Sequence, residues 1–310
     1  MSTKHLLDPE LSPLLDMPAM TFTDAGMPKL RELLKVREVV GDAERHKVTR
    51  SEVTVTSGDG TELPCLLYTP PGDTSPRPGY LHIHGGGYIL GSPLQADIMN
   101  LQVCAKIGAV VLSVGYRLAP EHPIPAPLDD CYAGLAWLHT QADELGIDTN
   151  RIAIGGESAG GGLAAALAIK ARDAGEYAIC HQHLTYPMLD NLTGSEDHPG
   201  DPLVGEFIWT RESNAYGWRS YLGDAPAVAP QVPARVEDYS GLPPAWIFTA
   251  GLDLFRDENI AYAQNLLKAG VAAELLLYPS ACHGFQQVPG TQLGARFAAD
   301  HLDALRRALT

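Results

Sequence analysis

Two periodicities divide the chain. Glu52-Val53-Thr54-Val55-Thr56 alternates polar and apolar residues, Gly58-Asp59-Gly60 turns, and Leu63 to Thr69 returns. That pattern predicts a β-hairpin. Tyr80 to His84 is a third strand, after a loop over Pro70 to Pro78. From there strand-length apolar runs alternate with helix-length segments. Strands are predicted at 109–115, 152–155, 181–186, 245–250 and 272–278, and helices at 128–145, 163–170, 257–269 and 294–309. Eight strands, antiparallel first and helix-alternating later, predict an α/β fold with a mostly parallel sheet and helices on both faces.

Two stretches fall outside this alternation. Pro9, Pro13, Pro18 and Pro28 break residues 1 to about 45 into short pieces. Leu30, Leu33, Leu34, Arg37 and Val40 then mark an amphipathic helix, which reads equally as a docked arm or as part of a lid. Residues 190 to about 240 are rich in Pro, Gly and Asp, with an aromatic helix candidate around Phe207, Trp209, Tyr216, Trp218 and Tyr221. A connection this long inside one domain is usually functional.

The candidate chemistry sits where strand meets helix. Ile152-Ala153-Ile154 runs into Gly155-Gly156-Glu157-Ser158-Ala159-Gly160-Gly161-Gly162, and an Ala- and Leu-rich helix follows. Gly156, Ser158 and Gly160 form G-x-S-x-G, the nucleophile-elbow pattern. A serine at so tight a turn presents its hydroxyl at a helix N-terminus, where free N–H groups favour negative charge. His84-Gly85-Gly86-Gly87 follows the third strand and can turn backbone N–H groups into a cavity, as an oxyanion requires. A serine needs a base. On this pattern the order is serine, acid, histidine, which points to His283, just after the last strand. His301 lies later, but inside the closing helix, where it reads as a surface residue. For the acid, Asp253 leaves a strand end directly and is favoured over Asp257, which is explained as a helix N-cap or first-turn acid.

Composition narrows the classes. A formal charge of −15 disfavours nucleic acid and an anionic membrane surface, both of which need clustered Lys and Arg. No apolar run approaches the roughly 18 residues of a spanning helix, and the N-terminal residues lack a signal-peptide core. Five scattered cysteines, an odd number, read as reduced thiols in a cytoplasmic protein, with Cys282 beside His283 the one possible exception. His82 with His84, and His181 with His183, each share a strand face, but neither pair has an obvious third ligand. No metal or cofactor is expected.

His84 to Gly87, Tyr116-Arg117-Leu118-Ala119-Pro120-Glu121-His122, Gly156 to Gly161, Asp253 to Glu258 and His283-Gly284-Phe285 together resemble the hormone-sensitive-lipase family of α/β-hydrolases, in its bacterial esterase branch. The likeness spans nearly the whole chain. It implies Ser158 as nucleophile, His283 as base and Asp253 as orienting acid. It further implies oxyanion donors at Gly85, Gly86 and Ala159, with Tyr116 to Glu121 as a buttress. Residues 1–45 and 190–240 would pack together as a helical cap over a core formed by 46–189 and 241–310. Phe207, Trp209 and Trp218 would then wall an acyl pocket or form the cap's own core. Many members carry proline after the acid, where this chain has Leu254. The reading is a serine carboxylesterase for short- to medium-chain esters, with a homodimer left open. An acyltransferase or amidase on the same residues, and a non-catalytic receptor on this scaffold, remain as alternatives.

Overall fold

Strands β1 (Thr49–Thr56) and β2 (Glu62–Thr69) form the predicted hairpin, in which Val53 faces Cys65 and Val55 faces Leu63. The computed structural model describes residues 2–17, 20–35, 39–72 and 76–310. Pro18, Arg37 and residues 73–75 of the Pro70–Pro78 loop lie outside them. The sheet continues with β3 (Arg77–Ile83), β4 (Val110–Val114), β5 (Ile147–Glu157), β6 (His181–Thr185), β7 (Ala245–Ala250) and β8 (Ala273–Tyr278). Their spatial order is β1-β2-β4-β3-β5-β6-β7-β8, antiparallel as far as β4 and parallel beyond it. β3, β4 and β7 are buried along their whole length, as strands covered on both faces must be.

Helices α4 (Ala126–Thr140), α6 (Ala159–Ala174) and α8 (Arg256–Lys268) cover one face, packing Leu135, Leu163 and Leu266 on Leu112, Ile154 and Ile247. Helices α3 (Asp97–Ile107) and α9 (Gln292–Leu309) cover the other, with Leu101 and Leu305 against Tyr80 and Val111. Among the described residues no helix is long and apolar enough to cross a membrane.

The pattern hid α3, because two of its buried positions are polar. Asp97 accepts from the Arg50 guanidinium at 2.6 Å, the Tyr68 hydroxyl at 2.7 Å and the Gly41 amide at 2.7 Å, and Asn100 is buried beside it. The helix expected over 128–145 is two, because α4 stops at Thr140 and α5 (Ala142–Leu145) restarts after Gln141. Thr140 turns its hydroxyl back to the Ala136 carbonyl in that last turn.

The N-terminal segment forms a 3₁₀ stretch over Pro9–Asp16, then α1 (Met27–Lys35) and α2 (Ala43–His46). Its buried stripe differs from the one expected. Leu30 and Leu34 are half-buried, but Leu33 and Val40 are 52% and 55% exposed. Leu7, Leu11, Leu14, Phe22 and Met27 bury in their place. The insertion holds α7 (Arg211–Leu222) and meets this segment directly. Thr3 Oγ1 donates to Glu206 at 2.6 Å, Tyr216 Oη donates to Asp24 at 2.8 Å, and Phe22 packs on Trp209 and Tyr216. The inserted helical region resembles a cap.

Candidate active site

β5 ends at Glu157 and α6 begins at Ala159, so Ser158 alone makes the turn. Its backbone stands at φ 57°, ψ −121°, which an L-residue adopts only when its surroundings impose it. Three hydrogen bonds do so. The Ser158 amide donates to the Thr185 carbonyl at 2.9 Å, and the Ser158 carbonyl accepts from the Gly162 and Met188 amides at 2.9 and 3.0 Å. Gly160 lies against the Ile83 and His84 carbonyls, where a Cβ would collide with β3.

His283 leaves the loop after β8 and brings Nε2 to 3.0 Å from Ser158 Oγ. Its Nδ1 lies 2.7 Å from Asp253 Oδ2, in the loop after β7. Asp253 is fully buried, and its other oxygen accepts from the Phe255 amide at 2.9 Å. With Nδ1–H donated to a carboxylate, Nε2 is left to take a proton from serine. The imidazole is boxed by the rings of Tyr186, Phe255 and Trp209, at centroid distances of 4.5, 5.3 and 6.4 Å. Such a box limits reorientation of the base. Ser158, His283 and Asp253 form a Ser-His-Asp triad.

The other candidates fall elsewhere. Asp257 is largely exposed and pairs with Arg256 at 2.7 Å. His301 is a core residue, 2% exposed, 3.1 Å from His183 and edge-on to Trp246, because α9 turns that face onto the sheet. Cys282 is buried, which pushes its thiol up to about 12, so it is an inert thiol like the other buried cysteines. His82 meets Ser113 and Glu157, His84 Nδ1 meets the Gly85 carbonyl, and His183 Nε2 meets His301, whereas the buried His181 Nε2, His183 Nδ1 and His301 Nε2 have no hydrogen-bond partner among the described residues. Leu254, where proline was expected, is buried against Gly194 and Gly205 of the insertion.

Around the serine, Gly85 packs on the Glu157 carbonyl and the Ser158 Cβ. Tyr116 stacks on His84 at 4.2 Å and donates its hydroxyl to the His84 carbonyl at 2.9 Å, bracing the start of the glycine loop. Gly87, at φ +61°, lies against the six-membered ring of the Trp209 indole, leaving no room for a side chain. Trp209 Nε1 donates to Asn214 at 3.2 Å. Phe207 joins the cluster of Leu7, Leu11 and Phe285, and Trp218 packs edge-on against Tyr88 and Tyr221. Tyr186 and Arg31 carry no motif, and Glu258 ends the Asp253–Glu258 motif with no role assigned to it from the sequence. Tyr186 reaches the site only through its contact with His283. Arg31 donates to the Ile89 carbonyl at the end of the glycine loop. Glu258 binds the Leu189 amide and the Thr193 hydroxyl where the insertion leaves the core.

Comparison with known proteins agrees with this geometry. A sequence model of the family described as alpha/beta hydrolase fold matches residues 80–287. The chain is 35% identical over 308 residues to carboxylesterase NlhH of Mycobacterium tuberculosis, covering 98% of this chain and 96% of that protein. It is 34% identical over 246 residues to an ethyl acetate hydrolase of Pseudomonas putida, covering 77% and 76% of the two. The structure of a bacterial heroin esterase superposes with a TM-score of 0.92, at 37% identity and full coverage of both chains. The chain belongs to the α/β-hydrolase-fold family, as a serine carboxylesterase related to the hormone-sensitive-lipase group that acts on small to medium esters.

Proposed function

We propose that an ester carbonyl lies between Ser158 and the glycine loop, with the Gly85, Gly86 and Ala159 amides receiving its oxygen. His283 Nε2 takes the Ser158 proton as Oγ attacks, and Asp253 stabilises the imidazolium that forms. Negative charge collects on the carbonyl oxygen, beside the N-terminus of α6 and the loop amides. His283 then gives its proton to the leaving alcohol. Water repeats the sequence on the acyl-enzyme. The observation that carries this reading is the continuous contact from Asp253 through His283 to Ser158, at 2.7 and 3.0 Å. Among the described residues, the loop and cap hydrogen bonds include none donated by the Gly85, Gly86 or Ala159 amides. This supports their assignment as oxyanion donors.

Trp209 is the proposed wall of the acyl pocket, backed by Phe207 and Trp218. Residues 1–45 and 190–240 act together as the cap, on the support of the Thr3–Glu206 and Asp24–Tyr216 contacts. A homodimer is proposed from the exposed Leu275 and Leu277 on the sheet-edge strand β8, and light scattering tests it. Five free thiols support a cytoplasmic location. The central test is turnover of p-nitrophenyl esters of increasing acyl length by the wild type and Ser158→Ala. The expected result is a preference for short to medium chains and a loss of roughly 10⁴- to 10⁶-fold in kcat in the variant. Near-normal hydrolysis by a folded Ser158→Ala protein would refute the reading.

A further inference from the structure

Behind the nucleophile, on the α9 face of the sheet, lies a polar row that the reaction above does not use. Ser113 on β4 stands opposite His82 on β3, and His82 stands opposite Gly155 on β5. Glu157, two residues further on, shares that face. His82 Nδ1 is 2.9 Å from Ser113 Oγ, and its Nε2 is 3.3 and 3.1 Å from the two Glu157 carboxyl oxygens.

Protons can be counted across this row. Ser113 has one hydroxyl proton, and its Oγ lies 3.1 Å from the Pro93 carbonyl, which cannot donate. Both contacts of Ser113 are made at once only when its proton goes to Pro93 and Nδ1–H of His82 donates to Oγ. Nε2 then faces a carboxyl group at hydrogen-bonding distance, and one further proton must lie between them. An imidazole is ordinarily more basic than a carboxylate. We propose that His82 is a buried imidazolium whose charge cancels that of Glu157 directly behind Ser158, so that the oxyanion forms beside a neutral pair and not beside a bare carboxylate.

The surroundings leave that task to His82. The other titratable groups around the pair are Tyr80 on β3, His84 just after it, Tyr116 after β4, Tyr186 after β6, His183 on β6 and His301 on α9. Burial holds His84 and His301 down at about 4 and His183 well below the usual range, so these three are neutral at neutral pH. Burial raises the hydroxyls of Tyr80, Tyr116 and Tyr186 well above their usual range, so these three stay protonated and uncharged. Burial alone would raise the Glu157 carboxyl, but His82 facing it outweighs this and holds it below the ordinary value. The stakes are local. Glu157 precedes Ser158 in the chain, and its carbonyl packs on Gly85, so a charge on its side chain sits behind both the nucleophile and a proposed oxyanion donor.

His82 acts through Glu157 and is thus a positioning residue. The proposal rests on the esterase reading, and its test separates the two. In histidine-¹⁵N-labelled wild type at pH 8, the His82 ring, assigned by its loss in His82→Asn, is expected to carry protons on both nitrogens. In Glu157→Gln the same ring is expected to lose one. Kinetically, His82→Asn is expected to lower kcat on the order of tenfold or more, because a part-buried carboxylate is left unopposed. Its kcat/KM falls as pH rises and Glu157 ionises, a fall absent from the wild type. Glu157→Gln is expected to lose no more than a few-fold, and the double variant to return to the level of Glu157→Gln. A neutral His82 ring at pH 8, or a double variant whose loss is the product of the single losses, would overturn the proposal. If His82→Asn fails to fold, the ring is assigned by its loss in His82→Gln instead, and the ring spectra of wild type and Glu157→Gln decide. A burst of one acyl-enzyme per chain in the wild type tests the esterase reading independently, and its absence would leave the spectra untouched.

Discussion

Replacing Arg31 with alanine tests how the N-terminal segment is held to the catalytic core. Arg31 Nε donates to the Ile89 carbonyl at 2.9 Å, and Nη2 donates to the Ala119 carbonyl at 2.7 Å. Nη1 and Nη2 also meet the Glu121 carboxylate at 2.9 and 2.8 Å. These contacts are unequal. Glu121 is 46% exposed, and an ion pair so open to water contributes about 0–1 kcal/mol. A charged donor on a part-buried carbonyl contributes about 1.5–3 kcal/mol, so the two carbonyl contacts dominate. With a discount for their incomplete burial, Arg31→Ala should weaken docking of α1 by about 2–4 kcal/mol. Hydrogen exchange reads this as a roughly 30- to 1,000-fold faster opening of residues 22–34, with the sheet strands unaffected. Because Phe22 packs on Trp209, KM for short esters should rise as well. Glu121→Gln should cost less than about 1 kcal/mol. If Glu121→Gln matched Arg31→Ala, or if α1 kept its protection in Arg31→Ala, the ranking of these contacts would be wrong.

Asp253→Asn should lower kcat by about 10⁴ through loss of the correct histidine tautomer, whereas Asp257→Asn, at an exposed pair with Arg256, should leave kcat within about twofold. Steady-state kinetics on both variants decides, and the reverse order would move the acid to Asp257. Trp209→Ala should cost about 3–5 kcal/mol of stability and extend turnover to longer acyl chains, read by urea denaturation and the p-nitrophenyl ester series. An unchanged chain-length profile would remove Trp209 from the pocket. Burial holds the Glu258 carboxyl well above its ordinary range, against the lowering effect of the Leu189 amide and Thr193 hydroxyl. The folded state thus keeps this proton to a higher pH than the unfolded chain, and the stability it contributes is lost as pH rises through the folded value. Relative to wild type, Glu258→Gln should therefore gain Tm between pH 5 and pH 9, and a difference constant with pH would refute this.

The sheet was legible because its first hairpin alternates and its inner strands β3, β4 and β7 are buried along their whole length, and the triad because each member sits beside a strand end with a recognisable motif. Helix α3 was not, since Asp97 and Asn100 point inward and break the apolar stripe that a pattern reading follows. His301 was misread as a surface residue for the matching reason. Nothing in the sequence tells a polar residue facing water from one facing His183 and Trp246. The stripe expected from Leu33 and Val40 failed because a helix of nine residues buries only what its partners cover, and α1 is held as much by Arg31 as by its leucines. Contacts such as Thr3 with Glu206 link segments about two hundred residues apart and leave no local signature.

Those long contacts also set an order of assembly. Residues 3 and 24 meet partners 203 and 192 positions further along the chain. Closing such a loop costs entropy that only later contacts recover, and during synthesis the partners do not yet exist. Leu7, Leu11 and Leu14 must therefore wait with their apolar faces open until Trp246, Phe285 and Phe297 have been made, a period in which they are open to aggregation or chaperone capture. The N-terminal segment is among the first to be made and among the last to find its place.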